Sequence, residues 1–183
     1  MAYYQNSAAP VDAKIEIGNF TISVGAENAT AGSSWTNLGA GMVKSFVYET
    51  TPFTSQAGNA TDPIEGVSRE TAKVDIDLIE YDGSSWSALS GGLITGTSGS
   101  LIVGGNTMIQ TMKALKLVNV RKLATGSSQT TTYVLPRIHV ETGFTMTPKS
   151  DNDTDPVNVY SFSITANQAS GTSAGVLFTK TVA

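Results

Sequence analysis

A chain of 183 residues is long enough for one domain with a sizeable core, and its 14% charged residues fall well below the roughly 25% of ordinary globular proteins. The net charge of −4 argues against a protein that grips nucleic-acid phosphates, and the absence of cysteine rules out disulfides and thiolate metal sites. No apolar run reaches the roughly 20 residues of a membrane span and no basic-then-apolar leader opens the chain, so a soluble, unexported protein is expected. Abundant Ser, Thr, Asn and Gly suit a mainly β protein, because Thr packs well on pleated strands while the others serve turns. A weakly charged, hydroxyl-rich surface also suits contact with other protein, where fixed charge is costly to desolvate.

In chain order, the first strand is expected in "AKIEIGNFTISVG" (13–25). Ile15 and Ile17 alternate, Gly18-Asn19 breaks the count as a bulge would, and Phe20, Ile22 and Val24 resume it. "WTNLGAGMVKSFVYET" (35–50) reads as a second strand through Val43, Phe46, Val47 and Tyr48. Residues 50–68, with Pro52, Gly58, Pro63 and Gly66, read as a loop too long for a routine hairpin turn. "SRETAKVDIDLIEYD" (68–82) alternates closely: Ala72, Val74, Ile76 and Leu78 fall on one face, and Thr71, Lys73, Asp75 and Asp77 on the other. A short helix capped by Ser84 or Ser85 and stopped by Gly91-Gly92 follows, then a short strand at 101–103 and a second helix around 106–113. Two long strands joined by "TGSSQT" (125–130) come next, with Pro136 pointing to an edge or bulge. "PVNVYSFSITANQ" (156–168) puts Tyr160, Phe162 and Ile164 on one face, and the tail ends in a strand-like apolar pattern.

The motifs that could carry chemistry are incomplete. "GTSAG" (171–175) matches a nucleophile elbow, but no acid or histidine follows Ser173, and the only histidine, His139, lies upstream on an expected strand. Asp151, Asp153 and Asp155 have the opening spacing of a calcium loop, yet Pro156 and Phe162 stand where an EF-hand needs Gly and Glu; a looser calcium site and a solvated acidic turn remain the two readings. "GGLITGTSGS" lacks the Lys-Ser/Thr of a phosphate loop. Asp75 and Asp77, about 7 Å apart on one strand face, have the spacing of an inverting glycosidase pair but no aromatic sugar platform nearby. Lys113, Lys116, Arg121 and Lys122 lack interleaved aromatics and read as a polar strand face. No enzyme, cofactor or resident metal is expected.

The order of pieces, a strand leading into "WTNLGA" (35–40), an extended loop, "RETAKVDIDLIEYD" (69–82), the helix "SSWSAL" and the closing strand "VNVYSFSITANQ", resembles the major tail, or tail tube, proteins of long-tailed bacteriophages over residues 15–168. That resemblance implies a β-sandwich or barrel-like domain of two packed sheets with one short flanking helix and a long inter-strand loop. An N-terminal arm (1–14) and a C-terminal tail or final strand (169–183) would flank it. It implies homo-oligomeric, hexameric rings stacked into a tube in the virion tail, assembled in the host cytoplasm. Tape-measure, tail-tip and terminator proteins would be partners, DNA would pass in transit without sequence-specific binding, and no membrane would be involved. Thr71, Lys73, Asp75 and Asp77 would line the lumen. Pro52, Phe53, Pro63 and Ile64 would anchor the loop on the next ring. Tyr3 and Tyr4 of the arm, and Val176, Leu177 and Phe178 of the tail, would meet neighbouring subunits. The competing reading is a β-sandwich binding module, a head-decoration or fibre domain that takes host glycan on Trp35 and Trp86.

Overall fold

The long runs of alternating and β-branched residues do form strands in the computed structural model, which describes residues 20–39, 41–55, 64–80, 82–97, 100–103, 110–123, 125–150, 158–170 and 174–183. In chain order these are β1 (Phe20–Ala26), β2 (Thr36–Asn37), β3 (Gly41–Ser55), β4 (Ile64–Leu78), α1 (Gly83–Ser90), β5 (Ile94–Thr97), β6 (Ser100–Val103), β7 (Lys113–Lys122), β8 (Ser128–Thr147), β9 (Val159–Ala166) and β10 (Thr179–Val182). Eight strands form one sheet in the order β2-β1-β7-β8-β9-β4-β3, with β10 added beside β8, and β5–β6 form a separate hairpin.

That sheet is folded into two layers, and β8 belongs to both. Its first half pairs with β7 (Ser128 opposite Lys122, Ile138 opposite Lys113) and with β10 (Val134 opposite Thr179). Its second half pairs with β9, from Ile138 opposite Ala166 to Thr147 opposite Val159. One layer is therefore β2-β1-β7-β8-β10 and the other β8-β9-β4-β3. Ring contacts across the fold confirm the closure: Phe46 of β3 lies 5.4 Å from Tyr133 of β8 although β4 and β9 separate their strands in the sheet, and Phe20 of β1 lies 6.1 Å from the same ring. Between the layers, Ile22, Leu117 and Leu135 meet Val74, Ile76, Phe162 and Ile164 in one buried core. The expected mainly β sandwich with a flanking helix is the observed architecture, α1 being the only helix among the described residues.

Pro136 sits where the β7–β8 register slips, between the Leu115–Leu135 and Lys113–Ile138 pairs, so its missing N–H falls at a bulge. Its carbonyl accepts the Asn28 N–H at 2.7 Å. Helix α1 is capped by Asp82, whose side chain accepts the Ser84 N–H, not by Ser84 or Ser85 as expected; both serines instead donate to the Asp82 carboxylate. The left-handed Gly91 (φ 61°) ends it. Gly83, at the helix start, lies so close to β5–β6 that a Cβ would collide with the carbonyl oxygens of Thr97 and Ser100.

Two further expectations are corrected. Residues 50–55 and 64–68 of the expected loop are strand: β3 continues to Ser55 and β4 begins at Ile64, with Pro52 opposite Val67 and Phe53 opposite Gly66, while 56–63 lie outside the described residues. The proline is tolerated because β3 is an edge strand and Pro52 adjoins a register slip, and the Phe53 ring lies over Gly66, filling the space its missing side chain leaves. The second helix does not extend to 113, because Lys113 opens β7 and is hydrogen-bonded into the sheet between β1 and β8; residues 106–109 lie outside the described residues, as do 13–19 of the expected first strand.

Trp86 is fully buried, with ring centroids 4.6 Å from Tyr160, 5.2 Å from Phe144 and 5.5 Å from Phe162, and it plugs the end of the sandwich with α1. Trp86→Ala is expected to lower unfolding free energy by about 3–5 kcal/mol, through lost apolar burial and the cavity left behind. Urea unfolding followed by circular dichroism checks this.

Candidate functional site

The alternation of β4 turns Ala72, Val74, Ile76 and Leu78 into the core and Thr71, Lys73, Asp75 and Asp77 to the other side of the β8-β9-β4-β3 layer. The same period in "SFSIT" of β9 buries Phe162 and Ile164 and sends Ser161, Ser163 and Thr165 outward, directly opposite Asp77, Asp75 and Lys73. On β3 an extra residue, Lys44, lies between the Val43–Ile76 and Ser45–Asp75 pairs. Without that bulge the register running on from Val43 would set Lys44 opposite Asp75, turn Ser45 to the core face opposite Val74 and turn Phe46 outward opposite Lys73.

The result is a ladder in which carboxylates take hydroxyl donors from the adjacent strands. Asp75 accepts from Ser45 at 2.7 Å and from Ser163 at 2.6 Å, and Asp77 accepts from Ser161 at 2.5 Å. Thr165 donates to the Glu141 carboxylate. Lys44 Nζ stands 3.5 Å from Asp77 Oδ2 and Lys73 Nζ 4.0 Å from Glu49 Oε2. A shallow depression of about 420 Å³ lined by Lys44, Ser45, Asp75, Thr145, Ser161 and Ser163 opens over the centre of the ladder. Asp77 is only 8% exposed, and Asp75 and Thr71 are half-buried, while Lys73 is exposed.

The hydrogen bond from Ser163, then that from Ser45, holds the Asp75 carboxyl below its ordinary range; partial burial opposes them, and Lys44 and Lys73 add to the lowering. Such a carboxylate is an acceptor that stays ionised. Across the β3–β4 ribbon Tyr48 donates to Glu70 at 2.5 Å, which pushes the phenol pKa up.

The layer that carries this ladder has two open edges. Among the described residues, nothing pairs with the far side of β3, and nothing pairs with the far side of β8 beyond Ile138. Both ends of the hydrogen-bonded array β8-β9-β4-β3 therefore present unpaired backbone groups, the feature that lets sheets join between chains.

Of the other candidates, Pro52 and Phe53 lie on β3, where both are exposed, and Ile64 opens β4. Pro63, Tyr3, Tyr4, Asp151, Asp153, Asp155 and Ser173 lie outside the described residues. The tail packs onto its own domain: Leu177 is buried, Val176 is half-buried, and the Phe178 ring lies 5.1 Å from Phe46 and 6.3 Å from Tyr48. His139 Nδ1 is 2.8 Å from the Asn167 amide. Of the two tryptophans, Trp86 is fully buried and out of reach of a sugar, while Trp35 is half-buried, with its Nε1–H donating to the Thr30 carbonyl and Lys116 over its ring at 4.8 Å. Lys44, Ser45, Ser161, Ser163, Thr165 and Glu141 were not singled out from the sequence; the alternation of "SFSIT" was the signal for the β9 hydroxyls.

No family model and no curated protein matches the chain. A solved structure described as the anti-feeding prophage cap, a tube terminating cap, is similar over 98% of this chain and 100% of that one, with a TM-score of 0.43 and 10% identity.

Because the Asp75 pKa is lowered on folding, its contribution to stability is present above the ordinary carboxylate range and is lost as pH falls through the lowered value. Asp75→Asn is expected to flatten the acid limb of the stability profile below about pH 4 while leaving its shape above about pH 6 unchanged. Thermal unfolding of both chains at stepped pH checks this.

Proposed function

We propose that this chain is a structural, non-enzymatic subunit that assembles into stacked rings forming a phage-type tail tube through which DNA passes. The observation that carries the reading is the pairing of two features on one layer: open edges at β3 and β8, and between them the polar ladder. Lateral joining of such layers would remove the exposed edges by closure, and the ladder would then face a shared interior.

The chemistry of that face supports passage over capture. Its four carboxylates, Glu49, Asp75, Asp77 and Glu141, outnumber the lysines Lys44 and Lys73, which stand beside carboxylates, and the remaining groups are hydroxyls already donating to acids. Among the described residues of the ladder, acids outnumber lysines, so a phosphate backbone meets net repulsion and slides instead of sticking. Homo-oligomeric rings, hexameric by resemblance, would carry tape-measure, tail-tip and terminator proteins at their ends in the virion tail.

Beyond the Ala72–Ala166 pair, Arg69, Glu70 and Thr71 still share a shallow hollow with Arg137, Asn167 and Gln168, and among the described residues the β3–β4 ribbon extends past them, paired only with itself, for about 17 Å. The reading gives this arm the task of reaching the next ring. Replacing residues 51–69 by Asn-Gly closes the ribbon on the Thr50–Glu70 pair with a turn suited to a two-residue hairpin. Negative-stain electron microscopy across a concentration series is expected to reveal hollow tubes or stacked rings from the intact chain, and a folded protein without tubes from the shortened one. Tubes of normal length from the shortened chain would remove the arm from the assembly; monomers at every concentration from the intact chain would count against the tube itself.

A further inference from the structure

The two ends of the β3–β4 ribbon differ in shape but match in chemistry. At the projecting end Pro52, Phe53 and Val67 are exposed, the latter two by 42% and 50%; Thr50–Ser55 carries no charge, and the facing strand adds one exposed acid there, Glu65 opposite Thr54. Arg69, exposed, stands at the base of this apolar stretch opposite Thr51. The other end, at the Gly41–Leu78 pair, opens into a groove of about 650 Å³. Phe20, Met42, Ile79 and Val159 give it apolar walls, and Glu80 lies along it as an acid. Met42 and Ile79 are 47% and 48% exposed.

We infer that the apolar arm of one copy seats in the Phe20–Met42–Ile79–Val159 groove of a second copy, with Arg69 of the arm against Glu80 of the groove. The inference rests on the tube reading and specifies its axial contact. Three observations carry it. One pair is of opposite charge, Arg69 at the base of the arm and Glu80 at the groove, and Glu65 opposite Thr54 is the acid on the arm that this docking has to leave in solvent. The groove is concave and apolar, and Phe53 is an aromatic of the kind that fills such pockets as an anchor. Arm and groove lie at opposite ends of one 15-residue strand, β4, so they are roughly 45–50 Å apart and face away from each other. An arm therefore cannot fill its own groove. Each copy offers both halves of a head-to-tail contact, and a contact of that kind propagates instead of closing on a dimer.

The natural chain contains no cysteine, so introduced thiols report only the chosen pair. Phe53→Cys and Ile79→Cys single variants are mixed, assembled and treated with a short bis-maleimide. Formation of a cross-linked dimer from the mixture, absent from either variant alone, is the expected result. In a second arm of the experiment, Arg69→Glu is expected to raise the protein concentration needed for tubes at least about tenfold, and Arg69→Glu with Glu80→Arg to bring it back within about threefold of the natural chain. Thermal melts confirm that each variant folds. Tubes that form without the cross-link between the thiols introduced at positions 53 and 79, or with Arg69→Glu at the natural concentration, overturn this docking and leave the tube reading standing. A natural chain that stays monomeric under all assembly conditions overturns both.

Discussion

β8 exchanges hydrogen bonds with β7 and β10 in its first half and with β9 in its second, so one strand has to serve two layers that face each other across the core. The turnover falls at Pro136 to Ile138, and the chain is built to tolerate it there. Pro136 has no N–H to lose, the register of β7 slips opposite it, and Arg137 pairs with Glu27 at 3.1 Å just outside. Because β8 leaves β7 and takes up β9 at that point, its second half is left with one side unpaired. The open edge at the far end of the ladder layer is thus a direct consequence of how the sandwich is closed.

The ladder depends on a second local device, the single extra residue at Lys44. A sheet face is a matter of parity, and one inserted residue resets it for everything beyond. Before the bulge β3 contributes Val43 to the core; after it, Phe46 turns inward against Tyr133 and Phe178 while Ser45 joins Asp75. The inserted lysine itself comes within ion-pair distance of Asp77. Core aromatic packing and polar-face chemistry are in this way set by the same residue, and shifting one would shift the other.

Much of this was legible in the residues, and the failures have physical reasons. The period of 68–82 identified β4, its buried set and its polar set, because a strand with one wet face leaves an unambiguous alternation. The ladder itself was not legible, since Ser45 and Ser163 lie 30 and 88 residues from Asp75 and register between distant strands is fixed by the whole sheet. The two flanks of the expected loop, 50–55 and 64–68, are strand, and the sequence hid this because Pro52 and Gly66 are strand breakers in isolation. At an open edge the proline is tolerated, and across the ribbon the Phe53 ring lies where a Gly66 side chain would be. The helix cap was misassigned although Asp82 is as strong a cap as serine; both serines next to it drew the reading away from the residue they donate to. Lys113 was placed in a helix by local pattern, and pairing on both sides in the sheet overrode that preference.

β4 starts out in the arm, runs the length of the ladder layer between β3 and β9, and ends beneath the Trp86 plug. Pulling on the arm along that strand loads the rungs that β4 shares with β9 at the same moment, in shear, whereas peeling a terminal hairpin breaks rungs one after another. The geometry therefore makes this domain stiff in one direction, the direction in which the arm points, and comparatively weak to forces that lift β3 sideways from its open edge.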